Sequence, residues 1–145
     1  MANEHRKMTV ARALKEKERI LRRLAEAKTL FEGVNCVKVG EVRDADPEAV
    51  YGDVQALQKR YLEIKKAIAV ANAGISPKLA ELLVAKTELN FYHRLSCRVC
   101  GTDQYDIFID TKKRREIIEK LNTRIEDLQD EVDNYNVTHF VELGV

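Results

Sequence analysis

The chain has 145 residues, a length suited to one domain or one array of long helical hairpins rather than two independent cores. Charged residues make up 34% and aromatic residues 6%, with six Gly, two Pro and no Trp, which disfavours an all-β fold and points to long helices. Lys+Arg total 25 against 24 Asp+Glu, a net charge of +1, and this excludes a general cationic coat for nucleic acid.

The opening MANEHRK lacks the apolar core of a signal peptide. The longest near-apolar run, Ala67 to Ala73, is far shorter than the roughly 20 residues a membrane span needs. A soluble, cytoplasmic protein with no membrane partner is expected.

Four segments carry helical periodicity, and together they predict a single helical domain over residues 1–145. The first spans about Thr9 to Glu32, with Val10, Leu14, Leu21, Leu24 and Phe31 at three- and four-residue steps. Thr9 is its expected N-cap and Gly33 its expected C-cap. Its outer side holds Arg12, Lys15, Lys17, Arg19, Arg22 and Arg23, with Glu16 and Glu18 interspersed. The next segment, Val34 to Val42, alternates valine with polar residues and reads as short strand or hairpin material. Residues 34–45 are therefore expected to be a non-helical or short-strand connection.

Asp46-Pro47 is an N-cap followed by proline at the first helical position. Val50, Val54, Leu57, Tyr61, Ile64, Ile68 and Ala71 then keep an unbroken a/d spacing, and Gly74 closes the helix. Ser76-Pro77 opens a third helix reaching about Leu95. The short link between the two predicts that they are antiparallel neighbours. Residues 97–110 form a second expected non-helical or short-strand connection, in which Gln104 to Ile109 alternate. A fourth helix starts at Asp110 or Thr111, with Ile118, Leu121, Ile125, Leu128, Val132 and Tyr135 along one stripe. Narrow stripes on long helices bury little in a small monomer. The expected fold is thus mainly α: long antiparallel amphipathic helices in a coiled-coil-like bundle, oligomeric, with a small β element of two or three short strands.

The helix Thr9-Val10-Ala11-Arg12-Ala13-Leu14-Lys15-Glu16-Lys17, the Asp46-Pro47-Glu48 start, the helix Leu79-Ala80-Glu81-Leu82-Leu83 and the Asn136-Val137-Thr138 tail occur in an order that resembles the septicolysin-like family. That family comprises small uncharacterised bacterial and phage proteins, and the resemblance covers most of the chain. The family name suggests a pore-forming toxin. The sequence offers neither a long amphipathic β-hairpin nor an apolar stretch able to insert. The loop from Cys97 to Cys100 is not part of the family pattern.

Three clusters carry candidate chemistry. Lys112, Lys113, Arg114 and Arg115 fall in the first turn of the fourth helix, where the macrodipole is already positive and backbone N–H groups lack partners. Cations there cost roughly 0.3–1 kcal/mol each when exposed. A bound anion compensates for such a cluster. A solvated charge run offset by Asp110 and Glu116 is the alternative.

Asn90, Phe91, Tyr92, His93 and Arg94 combine rings, an amide and a guanidinium, a set suited to stacking on a base, reading its edge and meeting phosphate. Otherwise Phe91 and Tyr92 are ordinary core. Cys97 and Cys100 form a CxxC that, with His93 and Cys36, reaches the four ligands of a zinc site; reduced structural thiols are the simpler reading, and no cofactor is expected.

There is no GxSxG, GxxxxGK[ST] or HExxH, so an enzyme is not expected. The leading expectation is a homo-oligomer that binds an anionic small molecule, a cyclic nucleotide or ADP-ribose derivative. Its size and style are similar to small phage sponge proteins, such as Thoeris anti-defence proteins, that sequester nucleotide signals in the bacterial cytoplasm. The alternative is a structural or interaction scaffold with no small-molecule ligand. A nucleic-acid binder using the basic side of the first helix ranks third, because glutamates interrupt that run. Charge is unevenly spread: residues 1–33 hold nine Lys+Arg against five Asp+Glu, and 119–142 hold two against seven.

Overall fold

A computed structural model describes residues 6–97 and 106–144. They comprise β1 (Arg6–Thr9), α1 (Val10–Asn35), α2 (Pro47–Ala71), a 3₁₀ turn (Asn72–Gly74), α3 (Ser76–Arg94), α4 (Thr111–Thr138) and β2 (Phe140–Leu143). These elements fall into two compact units, one of residues 6–73 with 136–144 and one of 74–97 with 106–135.

In the first unit α1 and α2 form an antiparallel hairpin. Arg60 reaches Glu16 near one end of the pair, and Phe31 meets Tyr51 at the other, with ring centroids 5.2 Å apart. Thr9 caps α1 as expected, its hydroxyl accepting from the Arg12 amide at 3.2 Å. Asp46 caps α2 the same way, accepting from the Glu48 amide, with Pro47 in the first turn. The a/d residues of α2 face α1 as the spacing requires. On α1 the buried line is Val10, Ala13, Ile20 and Leu24, while Leu21 is 46% exposed. Ile20, one residue from the expected position, is the core side chain.

Both ends of the described chain join this unit. β1 and β2 pair antiparallel, Arg6 opposite Leu143 and Thr9 opposite Phe140. Met8 and Val141 face each other across the pair and pack into the cluster of Val10, Ala13, Ile20, Ile64 and Ile68. An isolated pair of four-residue strands is marginal in water, so this burial is what holds the sheet.

The small sheet was expected between the helices, and its position is corrected. Val34 belongs to α1, where it is buried, and α1 runs through Gly33 to Asn35. The Arg43 side chain donates to the Val34 carbonyl at 2.8 Å, satisfying one of the last carbonyls of the helix. Val39 and Val42 then stand almost wholly in solvent. Gly40 has φ of +93°, and the Glu41 amide donates to the Lys38 carbonyl, a turn that needs glycine at its third position. Alternation without a neighbouring strand or an apolar layer has nothing to stabilise it. Residues 106–110 likewise contain no strand, while Gln104 and Tyr105 lie outside the described residues.

In the second unit α3 and α4 run antiparallel. Lys78 meets Glu131, Glu81 meets Arg124, and Arg114 reaches the C-terminal end of α3. Ile75, Leu82, Leu128 and Val132 form its buried cluster, with Leu79, Ile125 and Tyr135 packed against it. The α4 stripe read from sequence is the one that faces α3. Within their units α2 packs on α1 and α3 on α4. Among the described residues no single helix is long and apolar enough to cross a membrane.

Candidate functional site

The antiparallel α3/α4 hairpin brings the end of α3 beside the start of α4, which places the basic cluster and the aromatic cluster in one unit. Asp110 caps α4: its carboxylate accepts from the Lys113 amide at 2.8 Å, and its carbonyl accepts from the Arg114 amide. The Arg114 guanidinium donates to the Leu95 carbonyl at 2.7 Å, capping the C-terminal end of α3. This contact accounts for a cation at a helix N-terminus. The positive end of one macrodipole lies next to the negative end of the other, so Arg114 is disfavoured by its own helix and favoured by its neighbour.

The remaining members of the cluster are on the surface. Lys113 places its ammonium 4.9 Å from the centroid of Phe108, a ring that is 87% exposed, while Lys112 and Arg115 are exposed. Phe91 and Tyr92 pack edge to face at 5.1 Å. Tyr92 is half-buried against the hairpin, but Phe91 is 59% exposed, so it is not a core residue; Asn90, His93 and Arg94 are exposed. The Cys97 thiol donates to the Ile109 carbonyl at 3.1 Å, tying the two ends of the α3–α4 connection. Cys100 lies outside the described residues. Among those described, no group of three or more His, Cys, Asp or Glu is arranged to hold a metal ion.

A second feature of α3 escaped the reading of the sequence. Away from the buried line of Ile75, Leu79 and Leu82, Pro77, Ala80, Val84, Thr87 and Phe91 recur at steps of three and four residues, and all are exposed. Leu83 flanks them at 68% exposure. The Thr87 hydroxyl donates back to the Leu83 carbonyl at 3.0 Å, which satisfies it within the helix and leaves its methyl group outward. Beside this seam an open groove of about 370 Å³ runs between α3 and α4, lined by Ala80, Val84, Glu88, Leu121 and Arg124 among others. None of residues 90–94 or 112–115 lines it. The signal was present in the sequence as a second heptad spacing on one helix.

No protein-family model matches the chain, and no curated protein matches it. A solved structure is similar: a functionally unknown conserved protein from Corynebacterium diphtheriae, 16% identical, with a TM-score of 0.78 over 94% of this chain and 99% of that one. At that identity the likeness is one of fold.

Proposed function

We propose that the chain is a non-enzymatic, homo-oligomeric helical interaction protein whose copies join through the outer seam of α3. The observation supporting this is the exposure of Val84 and Phe91, 57% and 59%, on an apolar line with heptad spacing. A monomer gains nothing from holding such a line in water. The seam is also self-complementary. A two-fold axis between Val84 and Thr87 lays Phe91 of one copy over Ala80 of the other, large against small, and repeats the contact by symmetry. Glu81, which would flank such a pairing, already has Arg124 as a counter-charge at 3.0 Å.

Light scattering tests the reading. The wild type should have the mass of two or more chains, and Val84→Glu the mass of one, with unchanged helical circular dichroism. A wild type that stays monomeric at its highest soluble concentration contradicts it.

The second reading is an anionic, nucleotide-type ligand at the end of the α3/α4 hairpin. It is favoured by the exposed Phe108 ring beneath the Lys113 ammonium, with Lys112 and Arg115 exposed next to it in sequence. On this reading Phe91 or Phe108 stacks on the base while the cations meet phosphate. Titration calorimetry against cyclic ADP-ribose isomers and cyclic oligonucleotides tests it. Absence of heat with all of them, on protein purified free of ligand, overturns it.

A further inference from the structure

We infer that the outward face of α1 is a docking surface for the phosphate backbone of double-stranded nucleic acid. Arg12, Lys15, Arg19 and Arg22 follow one another at steps of three and four residues, with Arg23 beside them, and all five are exposed. The ten residue steps from Arg12 to Arg22 extend the row over about 15 Å at 1.5 Å per residue. In sequence Glu16 and Glu18 interrupt this run. The folded helix turns Glu16 toward α2 and leaves Glu18 at the border of the face.

Glu16 turns toward α2, where a single carboxylate oxygen meets Arg19 at 2.8 Å and Arg60 at 3.1 Å, and its side chain is only 20% exposed. Glu18, exposed three residues after Lys15 and four before Arg22, borders the row on the Lys15 and Arg22 side, about 120° around the helix from Arg12. Arg12, Lys15, Arg22 and Arg23 have no ion-pair partner among the described residues. Besides Glu18, the nearby acids are Glu26, which ends the row one turn past Arg22, and Asp53 on α2, in the groove that Arg23 and Arg60 also line.

The chemistry of the face selects its occupant. The main apolar side of α1 is packed against α2, and its two exposed leucines, Leu21 and Leu30, stand apart from the basic row, so the face offers no continuous apolar stripe to lay into a lipid interface. The basic row holds no aromatic side chain on which unpaired bases would stack. What remains is a rigid line of long cationic side chains. Duplex nucleic acid offers one charge per about 1.7 Å of axis, so it places several phosphates along the length of that line. Contacts of this type position a protein without reading sequence. The net charge of +1 concealed the face because it averages over the whole chain.

Fluorescence anisotropy with a labelled 20-base-pair DNA duplex, run as a salt series on the full chain, tests the inference. Binding should weaken with a log–log slope of about −3 to −5, from about four or five phosphate contacts. Arg12→Gln/Arg22→Gln/Arg23→Gln should weaken it at least tenfold and flatten the slope, with helical circular dichroism unchanged. Glu16→Gln should strengthen it, since the substitution removes an acid and frees Arg19 and Arg60. Three results overturn the inference: no binding at low salt, binding unaffected by the triple substitution, or tighter binding to phosphatidylglycerol vesicles than to the duplex. Val84→Glu leaves the face intact, so this test is independent of self-association.

Discussion

In the α1/α2 unit a buried cluster runs from Met8 and Val10 through Ile20 and Ile64 to Val141, and a two-stranded sheet built from both ends of the described chain adds to it. In the α3/α4 unit the cluster is four residues, Ile75, Leu82, Leu128 and Val132, and α3 also carries Val84 and Phe91 exposed outside it. Two antiparallel helices bury only the strip between them. The first hairpin supplements that strip with a sheet. The second is left with an apolar face over, which on the present account a second copy covers.

The sharpest way to separate the two units is to truncate a core side chain in one of them. Ile64→Ala should cost about 2–5 kcal/mol, as large-to-small changes at fully buried positions do. Hydrogen exchange should show the loss in amides of α1, α2 and the sheet more than in α3 and α4. Equal loss of protection in both units would mean that they unfold as one.

A smaller effect bears on the second unit alone. Arg114→Met removes the cap on the Leu95 carbonyl and should cost about 1–2 kcal/mol, less than a fully buried charged hydrogen bond because Arg114 is half-exposed. Urea unfolding measures it, and the corresponding change at Arg115 should be near neutral. If both substitutions cost the same, the cap has no special role.

Thr9→Ala should cost about 1 kcal/mol through loss of the α1 N-cap. Val39→Ser should stay within about 0.5 kcal/mol, since Val39 touches little but water. A large effect at Val39 would restore the strand that alternation suggested.

Much of the fold was legible because its signals are local. Thr9 and Asp46-Pro47 mark helix starts through caps that depend on the next three residues, and the a/d line of α2 matches the side that is buried. What was not legible depends on distant partners. The strand Arg6–Thr9 carries no alternation worth noticing, and it exists because Phe140–Leu143 lies beside it. The valines of 34–42 alternate, yet among the described residues no strand lies beside them to pair with.

The candidate site divides in the same way. The Lys112–Arg115 cluster was visible in sequence, but its explanation needed the end of α3, whose Leu95 carbonyl takes up Arg114. The apolar seam of α3 was hidden by a helix that carries nonpolar residues on two sides. Glu16 concealed the basic face of α1 until its partner Arg60, on another helix, was in place.

The most direct test of the α3 seam is complementation between two damaged copies. Phe91→Glu and Ala80→Lys should each weaken self-association at least tenfold in sedimentation velocity. Mixed together they should form a dimer again. In the antiparallel pairing one contact becomes Glu against Lys, and the other keeps its original Phe91 and Ala80. Two variants that associate like the wild type, or a mixture that stays monomeric, would contradict the account.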